Sequence, residues 1–272
     1  MTNWQDMPMP HRAFTAGDWV RIVWRGLVLA VVTYGCLLLF LLVRLVEWPL
    51  FGQARPFTPY ITQFVCKAAF VILRLPLTVR GKPMQGVGAT VANHSSWLDI
   101  FALNAADRVY FVAKSEVAGW PGIGILARAT GTEFIRRKTT EAKRHQEQFE
   151  ARLLAGHRLL FFPEGTSTDA VRVLPFKSTL FAAFLTDHLK NDLSIQPVTV
   201  VYHAPPDHDP RHYGWWGDMD FAPHLLITLA ARRQGRVEVV FHPPLRVADY
   251  ADRKALAAAC EAAVRQGHPF GR

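Results

Sequence analysis

The stretch Val91-Ala92-Asn93-His94-Ser95-Ser96-Trp97-Leu98-Asp99 places a histidine and a carboxylate five positions apart. Histidine exchanges a proton near neutral pH, so it suits removal of a proton from a hydroxyl. A carboxylate five residues on can return to the ring if the chain turns from a strand end into a helix between them. His94 then reads as a general base and Asp99 as its orienter. A second stretch, Leu159-Leu160-Phe161-Phe162-Pro163-Glu164-Gly165-Thr166-Ser167, is an apolar run emptying into a turn with a carboxylate, a glycine and two hydroxyls. Gly165 permits backbone shapes that other residues resist, and its N–H is a candidate donor to an anion or a developing oxyanion. Between the two, Gly131-Thr132-Glu133-Phe134-Ile135-Arg136-Arg137-Lys138 ends a short β-type run in three cations, a group able to hold phosphate or carboxylate. Each motif alone has a plainer explanation: a chance pairing, a surface turn and a solvated basic face.

The elements that must position these residues follow from periodicity. From Leu77 onward, short β-branched or aromatic runs alternate with longer helical ones. Strands are expected at 77–80, 89–92, 109–112, 133–135, 158–162, 195–202 and 237–241. Helices are expected at 97–105, opened by Ser95 or Ser96 as N-cap, at about 140–154 behind Thr139 or Thr140, at 179–189 and at 253–265. This alternation predicts an α/β fold, a mixed or mostly parallel sheet flanked by helices. Loops at the C-terminal ends of such strands are where α/β proteins place ligands, which is where His94 and Glu164 fall.

The N-terminal quarter differs. Gly26 to Val43 runs eighteen residues without a charge, flanked by Trp24, Arg25, Arg44 and Trp48. That is long enough to span a bilayer as a helix, and it begins too late for a cleaved signal peptide. Pro59 to Leu75 is a second apolar stretch, interrupted by Lys67 and Arg74, expected as an interfacial helix or the return arm of a hairpin. The expected organisation is a membrane-anchoring region, 1–75, and an α/β domain, 76–272. Half of the 272 residues are hydrophobic, mean hydropathy is +0.08, and 31 Lys+Arg against 22 Asp+Glu give a net charge of +9. Apolar content with positive charge favours an anionic lipid surface over nucleic acid, for which no recognition motif is present. Three scattered cysteines, Cys36, Cys66 and Cys260, predict no disulfide and a reducing compartment.

His94-x4-Asp99, Gly131 to Arg137, Phe162 to Ser167 and Pro197-Val198 occur in the order and spacing of the glycerolipid acyltransferase family, the bacterial 1-acylglycerol-3-phosphate acyltransferases and their relatives. The resemblance covers about Leu75 to Phe241. It implies transfer of a fatty acyl group from acyl-CoA or acyl-carrier protein to a lysolipid hydroxyl at a membrane. It implies His94 as the base, Asp99 as its orienter, and Arg137, Glu164, Gly165 and Thr166 as acceptor-binding residues. The family commonly has an acidic residue before the second-block arginine; this chain has Arg136. Tyr213 to Asp220, rich in aromatic and acidic residues, is similar to the branch that acylates lyso-ornithine lipid, whose zwitterionic head lacks phosphate. With a cytosolic acyl donor, the expected location is a bacterial inner membrane with the catalytic domain facing the cytoplasm. The alternative is a membrane-anchored lipid-binding protein that keeps the fold without turnover.

No cofactor and no metal are expected. Gly122-Ile123-Gly124-Ile125-Leu126-Ala127 matches a dinucleotide fingerprint but follows Trp120-Pro121 and not a strand. His203, His208 and His212 with Asp207 and Asp209 lie in a proline-rich loop of undefined shape.

Overall fold

The computed structural model describes residues 4–8, 13–86, 88–135, 142–185 and 190–270. Two helices lead the chain, α1 (Ala16–Phe51) and α2 (Thr58–Leu73). The remainder alternates as β1 (Leu77–Arg80), β2 (Gly88–Ala92), α3 (Leu98–Ala106), β3 (Tyr110–Lys114), α4 (Ile123–Ala129), β4 (Glu133–Ile135), α5 (Ala142–Leu154) and β5 (Leu159–Phe161). It continues as β6 (Ser194–His203), α6 (Phe221–Ala230), β7 (Arg236–Phe241), β8 (Leu245–Arg246) and α7 (Arg253–Gly267). The strands form one sheet in the order β1-β7-β6-β2-β5-β3-β4, with β8 beside β6. Pairing is parallel except where β6 meets β7 and β8.

The central strands β2, β5 and β6 are buried along nearly their whole length, which is why they read as continuous apolar runs. Successive residues face opposite ways, so each strand feeds two cores. Ala92 and Leu160 join α2, α3 and α6 on one face. Val91 and Phe161 join α5, α7 and the 3-10 helix Ser178–Phe184 on the other. Cys66 and Cys260 sit in different cores, and burial pushes both thiols up to about 12.

Helix α1 starts with a capping box, Thr15 receiving the Asp18 N–H while the Asp18 carboxylate receives the Thr15 N–H. The α1–α2 turn is held by Glu47, 1% exposed, which accepts from the Phe57 and Thr58 N–H groups and from the Thr58 hydroxyl. That carboxylate serves as the cap that the first turn of α2 lacks from its own side chains. At the other end of α1, Arg21 donates to the Ala230 carbonyl and Arg25 to those of Leu229 and Ala231. These guanidinium groups satisfy the orphan carbonyls closing α6.

Three sequence expectations are corrected. The segment expected as a helix over 179–189 is a 3-10 helix, Ser178–Phe184, and 186–189 lie outside the described residues. Its Phe181 and Phe184 both face the core, a spacing of three that suits a 3-10 turn. The N-cap position of α3 is Trp97, which offers no side-chain cap, while the Ser96 hydroxyl just before it accepts the Leu98 N–H at 3.4 Å. Helix α6 was not anticipated, although Asp220 and Pro223 around its start are ordinary helix-start signals.

Candidate active site

Strands β2 and β5 are parallel neighbours, so their C-terminal ends lie side by side, and the turns that follow meet although 70 residues separate His94 from Glu164. The Asn93 side chain continues the sheet beyond β2. Its carbonyl accepts from the Val200 N–H at 2.8 Å and its amide donates to the Val200 carbonyl at 2.9 Å. This fixes where the chain leaves the sheet at His94.

The expected base and orienter are together. His94 Nδ1 lies 2.8 Å from Asp99 Oδ2, which also accepts the N–H groups of Ser95 at 2.7 Å and Ser96 at 3.0 Å. The other oxygen, Oδ1, accepts the Tyr202 hydroxyl at 2.7 Å. With the Ser95 and Ser96 N–H groups and the Tyr202 hydroxyl all donating to it, Asp99 faces the ring as an acceptor, which places the His94 ring proton on Nδ1 and the lone pair on Nε2. The imidazole stacks on Phe162 at 4.0 Å between centroids and 12° between planes, and 19% of its side chain is exposed. A flat ring held on one edge by Asp99 and on one face by Phe162 keeps Nε2 in one place.

Glu164 is 1% exposed, and each of its oxygens is engaged by backbone: Oε1 by the His94 N–H and Oε2 by the Leu174 N–H, both at 2.7 Å. Burial raises its carboxyl to about 8, against the two N–H donors that favour the anion. Gly165 has φ +75°, and its N–H closes the turn onto the Phe162 carbonyl. The Thr166 hydroxyl is partly exposed beside it, and Thr168 returns its N–H to the His94 carbonyl at 2.9 Å. Arg137 lies outside the described residues.

Sequence reasoning missed two members of this site. Tyr202, at the far end of β6, reaches Asp99 across 103 residues, and its phenol is pushed well above the ordinary range by burial and by Asp99, so it remains a donor. His224 of α6 accepts the Trp97 indole N–H at 2.8 Å, tying the turn between His94 and Asp99 to α6. No spacing in the chain could have announced either partner. Gly122 is preceded by a short 3-10 helix, Ser115–Gly119, so the dinucleotide context is not there. In the proline-rich loop, Asp209 is gripped by Arg211, and His203 lies 3.2 Å from Glu238.

Tyr202→Phe removes one of the four hydrogen bonds to Asp99 and no bulk; kcat should fall about tenfold with KM unchanged in a steady-state assay, the signature of looser base positioning. The pH dependence of stability should show Glu164 separately. Burial lowers His157, His224 and His268 to about 4 and His212 to about 3, so their contribution is present above the ordinary histidine range and lost on acidification. Glu164 has the opposite sign: its raised value favours the protonated form in the fold, and that contribution is lost as pH rises through about 8. Thermal midpoints should therefore fall between about pH 7.5 and 8.5, where those histidines are almost wholly neutral in both states, and Glu164→Gln should flatten that slope alone.

Residues 78–201 match the family model described as Acyltransferase. The chain is 59% identical over 262 residues, 96% of its length and 95% of the relative's, to the lyso-ornithine lipid O-acyltransferase of Rhodobacter capsulatus. It is 34% identical over 214 residues to the lyso-ornithine lipid O-acyltransferase of Pseudomonas aeruginosa, covering 79% and 80% of the two chains. A shorter match, 38% over 121 residues and 42% and 46% of the two chains, joins it to the 1-acyl-sn-glycerol-3-phosphate acyltransferase of Neisseria gonorrhoeae. The crystal structure of PlsC from Thermotoga maritima, the 1-acyl-sn-glycerophosphate acyltransferase, shares the fold with a TM-score of 0.65 at 20% identity, over 92% of this chain and 94% of that one. The chain therefore belongs to the acyltransferase family, among the enzymes of lipid biosynthesis.

Proposed function

We propose that the enzyme acylates the free hydroxyl of lyso-ornithine lipid, using an acyl-carrier-protein or coenzyme A thioester, with His94 as the general base. The observation that carries the mechanism is the Asp99–His94 pair, which leaves the Nε2 lone pair for the incoming hydroxyl. Nε2 takes the hydroxyl proton as the oxygen attacks the thioester carbonyl. The tetrahedral adduct then collapses, the carbon–sulfur bond breaks, and the imidazolium returns the proton to the departing sulfur. No serine nucleophile is required, because the acceptor supplies the attacking oxygen. Asp99 stabilises the imidazolium between the two transfers. The acceptor identity is supported by the similarity to lyso-ornithine lipid acyltransferases over nearly the whole chain.

Thr166, two residues after Glu164, and Arg137 are assigned to the acceptor. Gly165 contributes the turn that leads into Thr166. Glu164 acts on the acceptor site indirectly: its buried carboxylate ties the His94 turn to the segment at Leu174.

The N-terminal helices are read as lying in the membrane surface. At 36 residues, α1 is about 54 Å long, well beyond the ~30 Å hydrocarbon core of a bilayer. Asp18, Ile22, Arg25, Phe40 and Glu47 are buried along one stripe of the helix. The other side exposes Trp24, Leu27, Val31, Leu38, Leu42 and Leu45. One end of that stripe is tied to α6 and the other clasps the start of α2. Helix α1 is long and apolar enough to cross a bilayer, and little of its apolar stretch is buried in the enzyme; because both of its ends are tied to the fold, we read its apolar outer side as entering one leaflet and holding the active site at the lipid surface. Location at the cytoplasmic face of an inner membrane accords with a cytosolic acyl donor.

Labelled acyl donor offered to lyso-ornithine lipid and to lysophosphatidic acid tests the acceptor, and His94→Ala tests the base. Transfer should fall by about 10²–10⁴-fold with lysolipid binding retained, and undiminished transfer would sink the mechanism. Single cysteines at Gly17 and Gln53, in a variant lacking the native three, test the in-plane helix. An impermeant maleimide should label both from the same side of the membrane; labelling from opposite sides would mean a span.

A further inference from the structure

We propose that Arg172 receives the carboxylate of the acceptor's head group and that Asp169 pre-orients it for that contact. This rests on the reading of the acceptor as lyso-ornithine lipid, whose amino-acid head carries one carboxylate and one ammonium.

The loop that follows Thr166 folds back on the catalytic turn. The Thr168 N–H bonds the His94 carbonyl at 2.9 Å, and its hydroxyl lies 3.2 Å from that same oxygen and 3.4 Å from the Arg172 carbonyl. Ala170 takes φ +64°, a conformation unfavourable for a residue with a Cβ, and the reversal sets Arg172 over Asp169. Gly214 backs the loop so closely that an added Cβ would lie 2.4 Å from the Asp169 carbonyl carbon. The polypeptide tolerates a strained residue and a crowded glycine to place one guanidinium a single loop away from the base.

The guanidinium is only half used. Asp169, with its side chain 1% exposed, accepts from Nε at 2.8 Å and from Nη2 at 2.7 Å, a side-on pairing. Trp4 covers one face of the group, with Cζ 4.5 Å from the ring centroid. A guanidinium carries five N–H donors. Side-on pairing leaves the Nη1 hydrogens and the second Nη2 hydrogen, the end-on fork that fits a carboxylate with two parallel bonds. Among the described residues no other group bonds this fork, and the Arg172 side chain is 37% exposed. A long, flexible side chain is thus already locked by a carboxylate on one edge and an indole on one face, so little rotamer freedom remains to be lost on binding.

The pairing also discriminates by charge. Asp169 cancels the arginine, so the site offers geometry with almost no net charge. A zwitterionic head brings its own compensating ammonium. A phosphate monoester approaching dianionic charge would need cations that are not already neutralised.

The test uses the full-length enzyme in detergent micelles with whichever acyl thioester supports turnover, and compares lyso-ornithine lipid with its carboxyl methyl ester. For the native enzyme, KM for the ester should exceed that for the acid by about 10–100-fold, the loss expected for a bidentate charged contact. Arg172→Gln should raise KM for the acid to the ester's value, leave the ester unchanged and keep kcat within about threefold. Arg172→Lys, which keeps the charge and loses the fork, should fall between. A native enzyme that does not distinguish acid from ester overturns the proposal without any variant. So does Arg172→Gln with an unaltered acid-to-ester ratio, or with kcat lowered equally on both acceptors, the mark of a structural pair. Native enzyme that acylates lysophosphatidic acid and not lyso-ornithine lipid would remove the acceptor reading and this proposal together. Turnover of lyso-ornithine lipid with discrimination independent of Arg172 would remove this proposal alone.

Discussion

The site depends on one buried negative charge. Asp99 has no exposed surface, and an isolated carboxylate there would cost several kcal/mol unless its lone pairs were filled. They are filled by the His94 ring, two backbone N–H groups of the intervening turn and the Tyr202 hydroxyl. Meeting that requirement shapes the turn, sets the tautomer of His94 and is served by the pairing of the strand carrying Tyr202 with the strand that leads into Asn93. Most of the architecture near the site can be understood as holding those donors in place.

A second buried carboxylate works in parallel. Glu164 spans the gap between the β2 and β5 turns, so the base is pinned from its backbone as well as from its ring. The contrast between the two carboxylates is instructive. Asp99 is surrounded by donors on both oxygens, two of them side-chain groups, whereas Glu164 has only two N–H donors, and there burial outweighs hydrogen bonding and favours the neutral form. Farther out, α6 links the apolar N-terminal helix to the His94–Asp99 turn. Arg21 and Arg25 of α1 cap its C-terminal end, and His224 in its first turns accepts from Trp97 inside the His94–Asp99 segment. The apolar N-terminal helix and the turn that holds His94 are therefore two hydrogen-bonded steps apart through one rigid element.

Much of this was legible before any coordinates. The strand runs were readable because central strands of a largely parallel sheet are apolar throughout, and the His94–Asp99 pair because five residues suffice to turn from a strand into a helix. Glu164 was readable as a site residue but not in its manner of acting, since a carboxylate in a turn gives no sign of whether it faces solvent or backbone. The segment at Ser178–Phe184 misled because its apolar spacing suits an α-helix and a 3-10 turn alike. Helix α6 is hard to read from sequence because its ten residues are apolar almost throughout and show no one-sided stripe, although Asp220 and Pro223 carry the usual start signals.

By itself the sequence determined the alternation of strands and helices, the pairing of His94 with Asp99, the apolar N-terminus and the family, because each is local or is a matter of ordered short motifs. Only the tertiary structure decided which carboxylate binds backbone, that Tyr202 completes the Asp99 cage, and that α1 lies against the enzyme with one side outward. Those facts depend on sheet order and on helix docking, which bring together residues 70 to more than 200 positions apart. Contacts at such separations are set by which strands become neighbours and which helix stripes are covered, and no periodicity within a single element records that choice.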